Sequence, residues 1–300
     1  MRFIAVLNRD GGTLRTMDLD DFCATISTSL ARHGHSVDCR VVAGRDVTAE
    51  LERAAADDAD ALLVAGGDGT ISTAAAIAFT SGRPLAILPA GTMNLFARAL
   101  KLPLTLNEAV DAVAAGTIGE IDIATANGRP FVHQFGVGVH ARLVRIRDGM
   151  HYRSRIGKML ASLRAIAAAA MRPPRFEVEL QTRQGIERRV VSGIAVSNNP
   201  LGDGQIHAGG LQAGVLGVYI AAPLTTGSLL RLVAKLFLGT WRESSMVSER
   251  EVEEVRLAFP RRKGGAQAVV DGELTDLDHA VTLRIHPRGL KVVVPADDQH

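Results

Sequence analysis

Short apolar runs alternate with segments of helical spacing throughout residues 1–126. The run Phe3–Leu7 is typical of a strand, and in Leu19–His33 the spacing of apolar residues predicts a helix that stops at Gly34. Further strands are predicted at Val37–Val42, Ala61–Ala65, Pro84–Pro89 and Glu120–Ala126, and further helices at Val47–Ala56, Ile71–Thr80, Asn94–Leu100 and Asn107–Ala115. Repeated strand–helix units predict an α/β fold with a doubly wound, mostly parallel sheet.

The pattern changes after Asn127-Gly128, because strand-like runs then follow one another with few helices between them, among them Arg188–Ser197, Val281–Ile285 and Leu290–Val294. Such a pattern predicts a β-rich antiparallel sandwich or barrel-like domain. Helical spacing returns at Ile156–Met171 and Gly227–Thr240, and the last four residues, 297–300, are expected to fray. We therefore predict an α/β domain over residues 1–126 and a β-rich domain over residues 127–300, whose last segment can return to the first domain.

Charge and cysteine content narrow the functional classes. Lys+Arg 34 against Asp+Glu 32 gives a net charge of +2, so no strong field for nucleic acid is expected. Cys23 and Cys39 have no metal-site spacing and predict no disulfide framework, which is typical of a cytoplasmic protein. No signal peptide or membrane-spanning run is expected, so contact with a membrane would be peripheral, at its inner face. The sequence leaves the oligomeric state open, with a homodimer as one option.

The turn Gly66-Gly67-Asp68-Gly69-Thr70 joins a buried strand to a helix. Its glycines let the backbone approach a ligand closely, and the start of the helix directs N–H groups and a positive dipole end to one point. These features are typical of a phosphate site, and Asp68 indicates a cation such as Mg²⁺ beside the phosphate. A tight turn in which Asp68 caps the helix is the alternative.

Two more polar turns are predicted at the same edge of the sheet. One contains Gly91, Thr92 and Asn94 after the fourth strand, and the other begins at Asn8 after the first. Ligands of parallel sheets bind beyond the carboxyl ends of the strands, so a polyphosphate could lie between these turns. An ordinary loop in which Thr92 or Asn94 caps the next helix is the alternative.

Asp271-Gly272 lies between two strand-like runs near the C-terminus. On its own this dipeptide favours a two-residue hairpin turn of type I′. The apolar segment Gly227–Trp241, which carries Arg231 and Lys235, favours a helix packed on the core, with a membrane-interface helix as the alternative. The histidines have no helix-pair spacing and predict no zinc site.

The chain resembles the catalytic-domain family of diacylglycerol kinases, which includes sphingosine kinases and bacterial lipid kinases. The resemblance rests on three motifs in this order: Gly66–Thr70, Gly91–Arg98 and Asp271-Gly272-Glu273. Further matches lie across nearly the whole chain, at Glu120-Ile121-Asp122, Ile156-Gly157-Lys158 and Val196-Ser197-Asn198-Asn199. The first motif is shared with NAD kinases and phosphofructokinase-like folds, whereas the ordered set is more discriminating.

The resemblance implies transfer of phosphate from ATP to a lipid hydroxyl, with the nucleotide in a cleft between an α/β domain and a β-rich domain. It implies Asp271 as the catalytic base with Glu273 beside it, and Mg²⁺ in a network that includes Asp68 and Asp122. It also implies a nucleotide site made by Asn8, Gly66, Gly67, Asp68, Gly69, Thr70, Gly91, Thr92 and Asn94. The lipid substrate would be met at a membrane surface, in phospholipid metabolism.

Several positions depart from the family pattern. Leu95 stands where the family often has Asp, and Asn8-Arg9 replaces the usual Asn-Pro. His133 replaces an Asn, and the glycine-rich stretch Gly202-Asp203-Gly204 and the segment Gln212–Leu216 are also altered. Two alternatives therefore stay open: a pseudoenzyme that binds nucleotide or lipid, and a kinase of a soluble substrate such as NAD.

Overall fold

The chain forms two compact units. A computed structural model describes residues 1–148, 173–202, 210–262 and 264–296. The first unit contains Met1–Ile123 and His286–His300, and the second contains Ala124–Ile285. The sequence predicts a domain boundary after residue 126, whereas the boundary between the two units lies after residue 123. The end of the chain belongs to the first unit. The predicted helix Ile156–Met171 and the tail 297–300 lie outside the described residues.

The first unit is a parallel sheet with helices packed on it. Its strands are β1 (Arg2–Asn8), β2 (Ser36–Val42), β3 (Ala61–Gly66), β4 (Leu85–Pro89) and most of β5 (Thr117–Ala126). Its α-helices are α1 (Leu19–Arg32), α2 (Val47–Ala56), α3 (Asp68–Ser81), α4 (Leu95–Ala99) and α5 (Leu106–Ala114), with short 3₁₀ turns at Gly12–Thr16 and Gly44–Asp46. The predicted alternation of strands and helices is confirmed.

In this sheet β1 lies between β2 and β3, β4 follows β3, and all of these pairs are parallel. The run Phe3–Leu7 is fully buried, which requires cover on both faces of the sheet. Helices α1 and α5 contact each other, as do α2 and α3, and these two pairs supply the cover. Asp18 caps α1 by accepting from the N–H groups of Asp20 and Asp21, as first-turn donors require.

The two cysteines correct one prediction. Cys23 lies on α1 and Cys39 lies on β2, and the structure pairs them in a disulfide. The prediction of no disulfide was wrong because it considered only spacing along the sequence. Helix α1 packs back on β2, which brings together two residues separated by 16 positions.

The second unit is built mainly from antiparallel strands. They are β6 (Arg129–Phe131), β7 (Gln134–Gly138), β8 (Phe176–Thr182), β9 (Gly185–Val191), β10 (Gly193–Asn198), β11 (Leu216–Ala221), β12 (Val247–Val252), β13 (Glu254–Ala258), β14 (Gln267–Val270), β15 (Glu273–Asp276) and β16 (Ala280–Val294), which ends in the first unit. Two α-helices are described here, α6 (Val139–Asp148) and α7 (Thr226–Phe237), with a 3₁₀ turn at Trp241–Glu243.

Six of these strands form one sheet in the order β12-β11-β10-β7-β14-β15. A second antiparallel group contains β9, β8, β13 and the first part of β16. Side chains from both groups, including Val137, Val196, Leu180 and Leu283, form one buried apolar cluster. The second unit is therefore a sandwich, and the predicted fold class is confirmed.

Two strand boundaries and one helix differ from the sequence predictions. One predicted strand, Arg188–Ser197, is two strands that break at Ser192, whose hydroxyl accepts from the Leu224 N–H at 2.8 Å. Two predicted strands near the C-terminus are one, because β16 continues through Arg288 at a φ of 53°. Helix α6 was not predicted. Among the described residues, no helix is both long enough and apolar enough to cross a membrane.

Candidate functional site

Three loops meet at the carboxyl ends of β1, β3 and β4. The Asn8 side chain, at the end of β1, donates from Nδ2 to Thr70 Oγ1 of α3 at 2.9 Å. The Asn8 Oδ1 atom accepts from the Asp10 N–H at 3.0 Å, which fixes the orientation of the amide. The turn that begins at Asn8 and the turn Gly66–Thr70 are thereby joined, since β1 and β3 are adjacent and parallel.

The two glycine-bearing turns touch through their main chains. A Cβ atom on Gly91 would lie 2.8 Å from Gly67 Cα and 2.9 Å from Asn94 Oδ1. A Cβ atom on Gly66 would lie 2.5 Å from the Thr70 side chain. Real Cβ atoms do not approach other atoms so closely, so these positions require glycine for close packing. The prediction that the turns lie at one edge is therefore matched by direct contact between them.

Asp68 holds the second turn in place. Its Oδ1 atom accepts from the Leu95 N–H at 2.7 Å, and its Oδ2 atom accepts from the Asn94 N–H at 3.1 Å. These donors begin α4, so the Asp68 carboxylate caps that helix from another segment. The predicted capping role thus exists, although the capped helix is α4 rather than α3.

Asn94 shapes the second turn from within. Its Oδ1 atom accepts from the Gly91 N–H at 2.8 Å, and its Nδ2 atom donates to the Gly91 carbonyl at 3.1 Å. The residue has a φ of 50°, a left-handed conformation that asparagine tolerates better than most residues. Neighbouring Thr92 is exposed at the tip of the turn. The loop is therefore a preformed structure with an accessible tip.

The start of α3 presents N–H donors. Gly67 precedes the helix and has no side chain to cap it, and the first helical bond runs from the Ile71 N–H to the Gly67 carbonyl. The N–H groups of Asp68, Gly69 and Thr70 therefore lie at the positive end of the helix dipole. Gly69 is exposed and its neighbours are half-buried. A phosphate group fits these donors.

Asp122 lies elsewhere in the first unit. It is 1% exposed, and its Oδ1 atom accepts from the Arg288 N–H at 2.9 Å. This bond holds Arg288, which has a left-handed conformation, within β16. Within the described ranges, no cluster of three or more His, Cys, Asp or Glu side chains could hold a metal ion. The metal roles of Asp68 and Asp122 stay predictions.

Asp271 occupies the tight turn between β14 and β15. Val270 pairs with Glu273, and both turn residues have positive φ, 49° at Asp271 and 86° at Gly272. These angles fit the two-residue type I′ turn that the sequence favours. The Asp271 carboxylate is also anchored, and it accepts from three successive N–H groups: Val132 at 2.9 Å, His133 at 2.8 Å and Gln134 at 3.0 Å.

The main chain of Asp271 is bonded to the same segment. The Asp271 N–H in turn donates to the Gln134 carbonyl at 2.9 Å. The adjacent Glu273 is exposed, and its carboxylate lies 3.7 Å from Arg129. A pair so exposed contributes little to stability.

A cavity of about 380 Å³ lies in the second unit. It is bounded by β7, β10 and β11 on one side and by α6 and α7 on the other. Most of its lining is apolar, including Leu224, Leu232, Leu236 and Trp241, and Gln134 and His140 are among its polar residues. The volume and lining are typical of a small-molecule site.

Small residues on the sheet make room for this cavity. Gly193 and Ala195 lie on β10 and Ala221 lies on β11, at alternate positions that face the cavity. Tyr219, also on β11, contacts Trp241 with ring centroids 5.4 Å apart. Burial raises the pKa of the Tyr219 phenol, whose oxygen accepts from the Leu201 N–H at 2.7 Å.

Comparison with known proteins decides the family of the first domain. Residues 2–126 match a sequence model described as "Diacylglycerol kinase catalytic domain". Residues 2–126 belong to the diacylglycerol kinase catalytic-domain family. The resemblance inferred from the ordered motifs is thereby confirmed.

The alignments with related proteins cover only part of each relative's length. A diacylglycerol kinase of Staphylococcus carnosus is 41% identical over 90 residues, which is 29% of each chain. An uncharacterised protein of Synechocystis is 26% identical over 249 residues, 79% of this chain and 55% of that protein. The chain thus aligns with about half, or less, of these relatives.

The fold match extends beyond the kinase-family domain. A crystal structure of a diacylglycerol kinase from Bacillus anthracis superposes with a TM-score of 0.74 and 17% sequence identity. The superposition covers 98% of this chain and 96% of that chain. At this identity the likeness shows the fold alone, and it includes the β-rich second unit.

Neither the cavity nor the anchoring of Asp271 was predicted from the sequence. The cavity residues are distant in sequence, and only the small residues at alternate strand positions could have indicated it. The motif segments Ile156-Gly157-Lys158 and Asp203-Gly204 lie outside the described residues.

Proposed function

We propose that this protein is an ATP- and Mg²⁺-dependent lipid kinase that phosphorylates the hydroxyl group of a diacylglycerol-like lipid. The observation that carries the proposal is the joined pair of glycine turns at the uncapped start of α3, within a diacylglycerol kinase catalytic domain. The apolar cavity of the second unit supports a lipid acceptor.

The nucleotide phosphates would bind at the start of α3. There the N–H groups of Asp68, Gly69 and Thr70 lie within a turn whose neighbouring glycines leave the main chain uncovered. Asn8 would hold Thr70 in position through its side-chain bond, and Asn94 would keep the second turn closed on Gly67. The exposed Thr92 would contribute its hydroxyl group and N–H at the tip of the second turn.

The residues of this loop also fit Mg²⁺. This ion keeps several waters and binds through substrate phosphates with one or two carboxylates, so a dedicated cage of acidic residues is not required. Asp68 is the acidic residue of the phosphate loop and would supply such a carboxylate, with Asp122 as a supporting group. When bound, Mg²⁺ would offset the charge of the phosphates.

Asp271 would act as the general base. An alcohol is a weak nucleophile, so a carboxylate within hydrogen-bond reach must accept its proton as the bond to phosphorus forms. The three amide bonds hold the Asp271 carboxylate in one orientation, in which it would accept the proton of the hydroxyl. Glu273, exposed on the next strand, would lie beside Asp271, but its carboxylate would not be held by main-chain amides as that of Asp271 is.

We also propose that the protein binds the inner face of the cytoplasmic membrane through α7. Leu230 is 47% exposed and Leu238, just after the helix, is 75% exposed. Leu232 and Leu236 of the same helix line the cavity. Apolar side chains of this kind can enter the boundary between headgroups and acyl chains, and would place the cavity near its lipid.

A second candidate function is binding without transfer. The engagement of Asp271 by three amides favours it, because the carboxylate has a structural task that does not depend on catalysis. Leu95 also offers only its N–H where the family often has an aspartate. In this case the protein would bind nucleotide or lipid as a pseudoenzyme.

One experiment separates these functions from each other and from NAD kinase activity. The purified chain is incubated with γ-³²P-labelled ATP and Mg²⁺, with a lipid extract in one sample and NAD in another. We expect label in a phosphatidic-acid-like product and none in NADP. Binding of ATP without labelled lipid would support the pseudoenzyme, and labelled NADP would overturn the lipid assignment.

A further inference from the structure

The main chain of Gln134 is bonded to Asp271 in both directions. The Gln134 N–H donates to Asp271 Oδ1 at 3.0 Å, and the Gln134 carbonyl accepts from the Asp271 N–H at 2.9 Å. These bonds lie within the second unit and do not involve the Gln134 side chain. The position of the Gln134 α-carbon relative to the Asp271 carboxylate is therefore fixed by the sheet.

The side chain of the same residue lines the apolar cavity. It is half-buried, and within the described parts of the chain its carboxamide has no hydrogen-bond partner. A ligand that fills the cavity would take this carboxamide out of water, and a polar group that loses water without a new partner is costly, so the ligand should supply that partner. Gln134 thus contacts the anchored Asp271 carboxylate through its main chain and the apolar cavity through its side chain.

The chemistry of the carboxamide defines the matching ligand. Its NH₂ group donates, and an ester carbonyl accepts, whereas an ether oxygen is a weaker partner and an alkyl chain is none. In an acylglycerol the ester carbonyls lie between the acyl chains and the free hydroxyl. A lipid with its chain in the cavity and its hydroxyl at Asp271 would place a carbonyl near Gln134.

We propose that Gln134 determines substrate class by donating a hydrogen bond to an ester carbonyl of the acceptor lipid. The protein would then prefer acylglycerols over ether lipids and over lipids without an ester. This inference rests on the proposed lipid kinase function for its biological meaning, but lipid recognition by the cavity can be measured without ATP.

Trp241 provides a direct readout. It is the single tryptophan of the chain, it is buried, and it lines the cavity. Filling of the cavity should therefore change its fluorescence emission. The test titrates the full chain with dioctanoylglycerol and with the dioctyl ether of glycerol, each in detergent micelles, and follows this emission.

We expect the wild-type protein to bind the ester about five- to tenfold more tightly than the ether, as a single neutral hydrogen bond allows. Gln134→Met keeps the length of the side chain and should bind both lipids alike. Gln134→Asn, which keeps the donor on a shorter side chain, should retain part of the preference. Gln184→Leu, at an exposed turn of the second unit, is the matched control and should behave as wild type.

Several results would overturn the inference. Equal binding of ester and ether by wild type would do so, as would a full ester preference in Gln134→Met, or no change in emission with either lipid. Should Gln134→Met not fold, the wild-type comparison and Gln134→Asn still decide. Phosphorylation of both lipids at equal rates would contradict the role of Gln134 and leave the kinase intact. Ester-selective binding without any transfer would contradict the kinase and leave the role of Gln134 intact.

Discussion

The Asp68 carboxylate accepts a hydrogen bond from the Leu95 N–H at 2.7 Å, so the acidic residue of the turn Gly66–Thr70 caps α4, the helix that follows the turn containing Gly91. A second bond, from the Asn94 N–H at 3.1 Å, completes the cap. The residue in the most recognisable motif of the chain therefore has a structural role that can be tested apart from any metal.

Replacement of Asp68 by alanine leaves these two donors without their acceptor. We expect the free energy of unfolding to fall by about 1–3 kcal/mol, and ATP affinity to fall because the second loop is no longer held. Urea denaturation and calorimetric titration with MgATP measure the two effects. Asp18→Ala removes a helix cap at α1 and is the matched control: it should cost about 1 kcal/mol and leave ATP affinity unchanged. Unchanged ATP affinity in Asp68→Ala would contradict the assigned site.

Gly91→Ala tests the contact between the two turns. The added methyl group would lie 2.8 Å from Gly67 Cα, and main chain cannot move aside as a flexible side chain can. We expect a loss of about 1–3 kcal/mol in stability, with weaker ATP binding. Gly227→Ala, which has open space around it in the first turn of α7, serves as control for thermal unfolding and titration. ATP affinity equal to wild type in Gly91→Ala would show that the turns do not form the nucleotide site.

The leucines of α7 should govern membrane binding. Two basic side chains near this helix are in ion pairs, Arg242 with Glu249 at 2.9 Å and Lys235 with Glu243 at 3.8 Å, whereas Arg231 is exposed on the helix. The exposed leucines are therefore replaced while Arg231 is kept, which tests apolar insertion apart from charge. Replacing both Leu230 and Leu238 by serine should weaken liposome flotation by about tenfold or more, given the energy of burying two leucines.

The control for that experiment replaces Ile186 and Val190, which are 62% and 55% exposed on β9, by serine. Flotation of this variant should match wild type. Loss of flotation in the β9 variant, with none in the α7 variant, would place the membrane surface elsewhere.

The ion pair between Arg242 and Glu249 predicts a pH dependence of stability. The Arg242 guanidinium lowers the pKa of the Glu249 carboxyl below its ordinary value of 4.5. A carboxyl whose pKa is lower in the folded state stabilises the protein above about pH 4.5, and this contribution is lost as the pH falls through the folded-state pKa. Arg242→Gln should therefore lose less stability than wild type on acidification.

Urea midpoints at neutral pH and at about pH 3 measure this difference. Arg183→Gln, which removes a more exposed pair with Glu253, is the control and should follow the wild-type pH profile more closely. An Arg242→Gln profile identical to wild type would show that the pair has no role in acid sensitivity.

The sequence was sufficient to predict those elements that depend only on residues close together along the chain. The alternation of strands and helices in residues 1–126 follows from apolar spacing, and the contact of Gly67 with Gly91 follows from parallel strands that end at one edge. Likewise the Asp271-Gly272 turn follows from residues that accept positive φ.

Features that depend on distant segments could not be predicted. The three amides that bind Asp271 come from residues 132–134, and nothing in either segment alone indicates the other. The Cys23–Cys39 disulfide depends on how α1 packs on β2. Strand β16 continues through Arg288 because the buried Asp122 accepts the Arg288 N–H. Periodicity within a segment contains no information about such partners.

Asp271→Asn is the most direct test of the account. Asparagine tolerates positive φ and can accept some of the three amide bonds, so the fold should survive, but a neutral amide cannot take a proton from the lipid hydroxyl. With MgATP and diacylglycerol, we expect wild type to form labelled phosphatidic acid. The variant should bind ATP equally well yet lose at least about a hundredfold in turnover, and Asp276→Asn should behave as wild type. Wild-type turnover in Asp271→Asn, or no transfer by the wild-type protein when both ligands bind, would contradict the account.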